Sequence, residues 1–348
     1  MTGVTTRAVP ADPLAGPSGA TRTAQRWFLA RELSIVGALT LLVAVTAVTN
    51  PRFLSAQSIK DLLLGSTILA ITAVGQAVVI ITRNVDLSVG SVLGLAAFAT
   101  GSLFVAAPGT PIPIALLVAT LLGAVCGAIN GGLIAAARVP ALVVTLGTLY
   151  VFRGIDYTWA TGKQINAADM PTGFLRMGTA AVLGVPVLTL FAVAVVIGAG
   201  FVLRSYRAGR DLYAIGSDPD AARLSGLPVG RRVFFAFVTS GALAGLAGAL
   251  YAARFGTLDA NAGLGSELNV VAAVVVGGVA IFGGSGSVFG AALGAVLLTT
   301  IGAALPVLGV SPFWQRAAVG ALILVAIGLD RALAVRVANR LKERRARG

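Results

Sequence analysis

Four polar residues, Arg83, Asn84, Asp86 and Ser88, stand in the stretch Thr82–Ser91, TRNVDLSVGS, with hydrophobic sequence on both sides and hardly any loop around them. Charge near membrane depth is costly and faces a cavity or a partner. Two compatible roles are open. Asp86 and Ser88 can cap the helix that follows, by accepting from its first N–H groups. Asn84, Asp86 and Ser88 can also line the inner end of a path for a hydroxyl-bearing substrate. Asn130, Thr145, Thr148 and Arg153, inside or at the edge of other apolar runs, offer further hydrogen bonds to hydroxyls. For Thr145 and Thr148 the plainer expectation is a bond to their own helix backbone.

Other chemistry is excluded by what is missing. The chain has no histidine and one cysteine, Cys126, so imidazole catalysis and an intrachain disulfide are ruled out. No metal cluster and no nucleophile beside a base is visible, so neither catalytic nor metal-binding residues are expected. Gly162-Lys163-Gln164 lacks the upstream glycine and the hydroxyl residue of a phosphate loop. The apolar runs also lack the Asp, Glu and His series of a proton relay. Uphill transport by this chain would draw its energy from another subunit.

The elements that must position these residues are membrane helices. Of 348 residues, 57% are hydrophobic and 11% charged, and the mean hydropathy is +0.92, outside the range of soluble domains. About twenty apolar residues cross a bilayer. That length gives ten spans near 33–49, 61–81, 89–107, 112–137, 141–155, 180–203, 233–252, 268–282, 287–306 and 313–330. Eight is the rival count, with the short fifth and eighth segments re-entrant. The segment 156–179, with Asp156, Lys163, Asp169 and Arg176, is the longest candidate outer loop. The segment after the seventh span, with Arg254, Asp259, Asn261 and Glu267, is polar. Residues 1–32 read as a disordered basic tail, and 331–348 as a second basic tail.

Net charge is +13, but nineteen of the twenty-six Lys and Arg fall in segments that ten spans place on one side. That asymmetry is an orientation signal, putting both termini in the cytoplasm and leaving no basic stripe for nucleic acid. The longest internal polar stretch, 204–232, belongs to the same side. Within it Asp218 suits an N-cap, Pro219 a first helical position and Asp220 the positive end of a helix dipole. Gly226 and Pro228 close the segment, so a short surface helix is expected over Pro219–Ser225. Glycines at close spacing, among them Gly123, Gly127, Gly241 and Gly245, predict closely packed backbones. A weak internal echo, Gly90-Ser91-Val92-Leu93-Gly94 against Gly286-Ser287-Val288-Phe289-Gly290, opens two of the spans.

Several motifs occur in a familiar order: GQAVVIITRNVDLSVGSVLGLAA (75–97), VPALVVTLGTLYVFRGI (139–155), GRDLYAIGSDPDAARLSGLPVGR (209–231), NAGLGSELNVVAAVVVGGVAIFGGSGSVFGA (261–291) and GVSPFWQRAAVGALILVA (309–326). Over about 53–330 the chain resembles the ribose/xylose/rhamnose-type sugar permeases of ATP-binding cassette importers. The resemblance implies an all-α polytopic bundle in a bacterial inner membrane, forming a dimer with a second copy or a paralogue. It further implies an ATPase subunit that holds the ATP and Mg, and an extracytoplasmic sugar-binding protein. This chain would bind no cofactor. The coupling role of the family's polar loop falls on Asp220, Ala221, Ala222, Arg223, Leu224, Ser225 and Gly226, with Ala221, Ala222 and Leu224 as packing surface and Arg223 as polar anchor. A monosaccharide cargo is implied. The alternatives are a furanosyl signalling molecule or nucleoside carried by the same architecture, and an ATPase-independent facilitator.

Overall fold

The computed structural model describes residues 19–137, 139–311, 313–321, 324–325 and 328. Their order is α1 (Gly19–Thr49), α2 (Ala56–Ile81), α3 (Val89–Ala106), α4 (Ile112–Ala137), α5 (Ala141–Ala160), α6 (Thr172–Thr179), a hairpin of β1 (Ala181–Val182) and β2 (Val185–Pro186), α7 (Val187–Ser205), α8 (Arg207–Ser217), α9 (Pro219–Leu224), α10 (Val229–Phe255), α11 (Ser266–Val276) and α12 (Val288–Val307). Among the described residues seven helices, α1 to α4, α7, α10 and α12, are long and apolar enough to cross a membrane. The protein is a multi-pass helical bundle.

Burial separates the helices into a centre and a periphery. The apolar window of α2 is 83% buried and that of α3 78%, against 17% for α7 and 11% for α1. A helix apolar on every side can sit in the centre, which is where α2 lies, with α7, α10, α11 and α12 packed around it. The α4–α10 contact is built on glycine. A Cβ at Gly123 or Gly127 would strike the carbonyls of Gly241 or Phe237, and one at Gly245 would strike that of Ala119. The two helices therefore run antiparallel with their backbones in contact, as small-residue spacing allows in a membrane.

Several expectations are corrected. α1 begins at Gly19, inside the stretch expected to be a disordered tail. Residues 1–18, the tail 331–348 and positions 322–323, 326–327 and 329–330 of the tenth expected span lie outside the described residues. At the fifth expected span stands α5, which is longer than expected, takes in Asp156 and is not among the seven. The sixth starts at Val187 because the hairpin turns through Leu183 and Gly184, both at positive φ, just before it. The polar stretch before α9 is not a loop, since α8 occupies it. The eighth expected span is half a span. α11 has eleven residues, a rise of about 16 Å, roughly half the hydrocarbon thickness. The polar segment before it supplies the other half. It leaves α10 at Gly256, pairs through Leu258 with Ile165, and re-enters to lay Gly263 on the carbonyl of Gly90 in the first turn of α3.

Candidate functional site

The turn between α2 and α3 is shaped by Arg83, which takes a left-handed φ of 65° where glycine is usual. Asn84 N then donates to Val79 O at 3.4 Å, closing α2 as C-caps do. The Arg83 side chain donates to Ser217 O at 2.7 Å, tying this turn to the end of α8.

Beyond the turn lies a buried polar chain. Asp86 Oδ1 accepts from Ser88 Oγ at 2.7 Å and Ser88 N at 3.0 Å, and its Oδ2 accepts from Ser240 Oγ at 3.1 Å. Ser88 Oγ accepts from Asn130 Nδ2 at 2.8 Å, and Asn130 Oδ1 accepts from Thr148 Oγ1 at 2.7 Å. Thr145 Oγ1 donates to Ala141 O at 2.9 Å, and it lies 3.2 Å from Val85 O. Five expected site residues are thus brought together from the α2–α3 turn, α4 and α5. Asn84 is not among them, since its amide bonds Thr82. The expected cap takes a different form. Asp86 serves the Ser88 N–H and hydroxyl, and the Ser88 side chain makes no cap bond to α3. Thr145 bonds its own helix as expected, whereas the shortest bond of Thr148 leaves α5 for α4.

Two members of this network escape a reading of local sequence. Ser240 on α10 supplies one donor, and Gln76 on α2 pairs through its amide with both main-chain groups of Asp86, at 3.1 and 3.2 Å. The only signal was an isolated polar residue in each apolar run. Every side chain here is buried and bonded, so the network locks α2, the α2–α3 turn, α4, α5 and α10 together, as satisfied buried polar groups do.

Arg153 forms a separate centre. From α5 its Nη1 donates to Ala260 O and Ala262 O, each at 2.8 Å, and its Nη2 to Gly90 O at 3.2 Å. Its Nη1 lies 3.7 Å from Asp156 Oδ2, and both Asp156 oxygens otherwise lack a partner among the described residues. The guanidinium therefore clamps the re-entrant segment onto α3. Gly90 and Gly94 make this approach possible, because a Cβ at Gly94 would collide with Ala262 O.

The N-terminal end of α11, set deep by this clamp, opens on a cavity of about 340 Å³ among α2, α3, α10, α11, α12 and residues 315–319. Thr72, Arg254, Ser266, Asn269, Thr299 and Gln315 give it mixed donors and acceptors, set against Leu93, Leu298 and Tyr251. Pockets of this size and mixed lining hold small polar ligands. None of the seven expected path residues lines it. Its polar residues went unremarked in sequence, apart from Arg254, because they are scattered over α2, α10, α11, α12 and the segment after α12.

At the arginine-rich end, α9 forms over Pro219–Leu224 as expected. Asp218 Oδ1 accepts from Asp220 N and Ala221 N, each at 3.0 Å, and these bonds hold its carboxyl below the ordinary value near 3.8. Gly226, at φ 78°, ends the turn. Leu224 is 91% exposed, whereas Ala222 is 5% exposed and packs into the protein's own core. Ala222 is therefore not part of an outward packing surface. Ala221 and Ser225 are exposed, and Arg223 pairs with Asp220 at 3.2 Å on the surface. α8 links this helix to the bundle: Asp211 pairs with Arg232 at 2.7 Å, Tyr213 Oη donates to Gly286 O at 3.0 Å, and Gly216 lies against Ile81 O and Gly284 N.

A family model described as branched-chain amino acid transport system / permease component matches residues 58–327. The chain is 37% identical over 300 residues to the Autoinducer 2 import system permease protein LsrC of Enterobacter sp. (strain 638), covering 86% of each chain. It is 36% identical over 307 residues to the Ribose import permease protein RbsC of Haemophilus influenzae, covering 87% of this chain and 94% of that one. No solved structure matches the chain.

Proposed function

The chain belongs to the family of branched-chain amino acid transport system permease components, and from that premise we propose that it is the membrane permease subunit of an ATP-binding cassette importer for a monosaccharide. The observation that carries the proposal is α9, a short capped helix outside the apolar bundle that turns Leu224 almost wholly outward. An apolar side chain so exposed on a polar segment suits a protein partner. The partner of this reading is an ATPase subunit holding the ATP and Mg, so this chain moves cargo without catalysing hydrolysis. α8, α9 and both tails are then cytoplasmic in an inner membrane, in line with the arginine distribution. A second permease copy or paralogue and an extracytoplasmic sugar-binding protein complete the assembly.

Motion reaches the bundle by short links. A push on α9 passes through α8 to the end of α2 by Arg83 and Gly216, to the loop before α12 by Tyr213, and to α10 by Arg232. Small shifts of packed helices suffice for switching. The cavity at α11 is the station for cargo: hydroxyls meet Thr72, Asn269, Thr299 and Gln315, and a ring face meets Tyr251. The similarity to an autoinducer 2 permease favours, as a second reading, a furanosyl signalling molecule in the same cavity.

The test is Leu224→Asp in the assembled transporter. Loss of ATPase association and of uptake is expected, with membrane insertion unchanged. Unaltered uptake would leave a facilitator needing no ATPase and sink the proposal.

A further inference from the structure

A second cavity, of about 520 Å³, opens between α2, α7, α8 and α10 at the arginine-rich end, well away from the cargo station. Its walls are apolar: Val78, Gly198, Leu212, Phe235 and Leu243. On α10 the lining positions 232, 235, 239 and 243 share one face. They span about 16 Å, close to the depth of one hydrocarbon leaflet. The lining along this face is thus mostly apolar, with Arg232 at one end of it.

At that end charge gathers. Arg232 lines the mouth, and Arg231 stacks its guanidinium 5.9 Å from the centroid of Phe235, itself a wall residue. Arg204, Arg207 and Arg210 are exposed on the adjoining turns of α7 and α8. The one carboxylate in these turns, Asp211, is taken by Arg232 at 2.7 Å. Four arginines therefore remain without a carboxylate in these turns, beside an apolar cavity.

We propose that this cavity is a binding site for one anionic phospholipid, its acyl chain lying along α10 from Phe235 to Leu243 and its headgroup phosphate held by Arg231 and its arginine neighbours. Charge complementarity selects this occupant over a zwitterionic lipid, and basic clusters at the ends of membrane helices attract anionic headgroups. The proposal needs only that this end of the bundle meets the membrane surface, so it stands apart from the cargo assignment. A lipid here touches α7 together with α8 and α10, two of the elements that carry movement from α9.

The experiment is native mass spectrometry of the detergent-solubilised full-length chain with added phosphatidylglycerol or phosphatidylcholine. Preferential retention of phosphatidylglycerol is expected. Arg231→Gln lowers it about fivefold, the effect of one arginine near a membrane surface, and leaves phosphatidylcholine unchanged. Gly198→Leu lowers retention of both, because nothing lies within 4 Å of a Cβ at Gly198 and the new side chain grows into the cavity without a clash. Circular dichroism checks that both variants keep their helix content. Equal retention of the two lipids, or phosphatidylglycerol retention undisturbed by Gly198→Leu, overturns the proposal. Displacement of the lipid when an ATPase subunit is added assigns the cavity to that protein and overturns it equally.

Discussion

Replacing Arg153 by Met should show what the buried guanidinium is for. The substitution keeps an unbranched side chain but removes every donor. Two short charge-assisted bonds to Ala260 O and Ala262 O disappear, with a longer one to Gly90 O. Each short bond contributes about 1.5 kcal/mol, at the low end for charged donors because hydrogen bonds in membranes measure weak. Asp156 loses its one ion-pair partner among the described residues while remaining fully buried, which raises the total to about 5 kcal/mol. That is a large share of the stability of a typical protein. At roughly 2 °C per kcal/mol for a chain of this size, the unfolding midpoint should fall by about 10 °C. The assay is thermal unfolding of the purified protein in detergent, followed by tryptophan fluorescence, with Trp159 on the same helix as the clamp. The companion variant decides the mechanism. Adding Asp156→Leu to Arg153→Met removes the stranded carboxylate, so the pair should recover about 4 °C of the loss. If Arg153→Met melts within about 2 °C of the native chain, or the double variant melts no higher than the single, the clamp reasoning is wrong.

Further outcomes follow from other sites. Ser240→Ala leaves Asp86 Oδ2 without its donor and should cost about 1–3 kcal/mol, read as a lower unfolding midpoint; no change would mean the network is slack. Asp218→Ala should weaken ATPase association, whereas Asp218→Asn, an equally good cap, should preserve it in a binding assay. The Asp218 carboxyl titrates below its ordinary value, so its contribution to α9 is complete above pH 3.8 and is lost as pH falls through the lowered value. Association measured between pH 5 and pH 7 should therefore be flat in its dependence on this residue. Filling the α11 cavity with Thr299→Trp should abolish uptake and spare ATPase binding, and normal uptake would move the cargo station elsewhere.

The helices that read directly from sequence are those whose apolar runs end in strong punctuation. α2 and α3 part at the TRNVDLS turn, α4 stops before Pro140, and α12 starts after Gly286-Ser287, whose hydroxyl accepts from Phe289 N at 3.1 Å. α9 was legible for the same reason, with its Asp-Pro start and Gly stop. α11 was not, because apolar residues continue past Val276 while Gly278, at φ 85°, has already turned the chain. Hydropathy records composition and is blind to such a turn. The re-entrant half before α11 was hidden by its polarity, since its carbonyls are satisfied by Arg153, a side chain over a hundred positions earlier. The polar network was half legible: Asp86, Ser88, Asn130 and Thr148 stood out, but their meeting with Ser240 and Gln76 is a fact of packing between distant spans.

The repeated Gly-x-x-x-Gly openings of α3 and α12 turn out to grip a single neighbour. Main chain at Ala262 and Gly263 rests on Gly90 and Gly94, while main chain at Ala273 and Gly277 rests on Gly290 and Gly294. α11 is thus a rung fastened to two uprights at opposite ends. Fastened so, it can tilt about either joint but cannot slide, and any spreading of α3 from α12 becomes a swing of the rung that bears Ser266 and Asn269 across the mouth of their cavity.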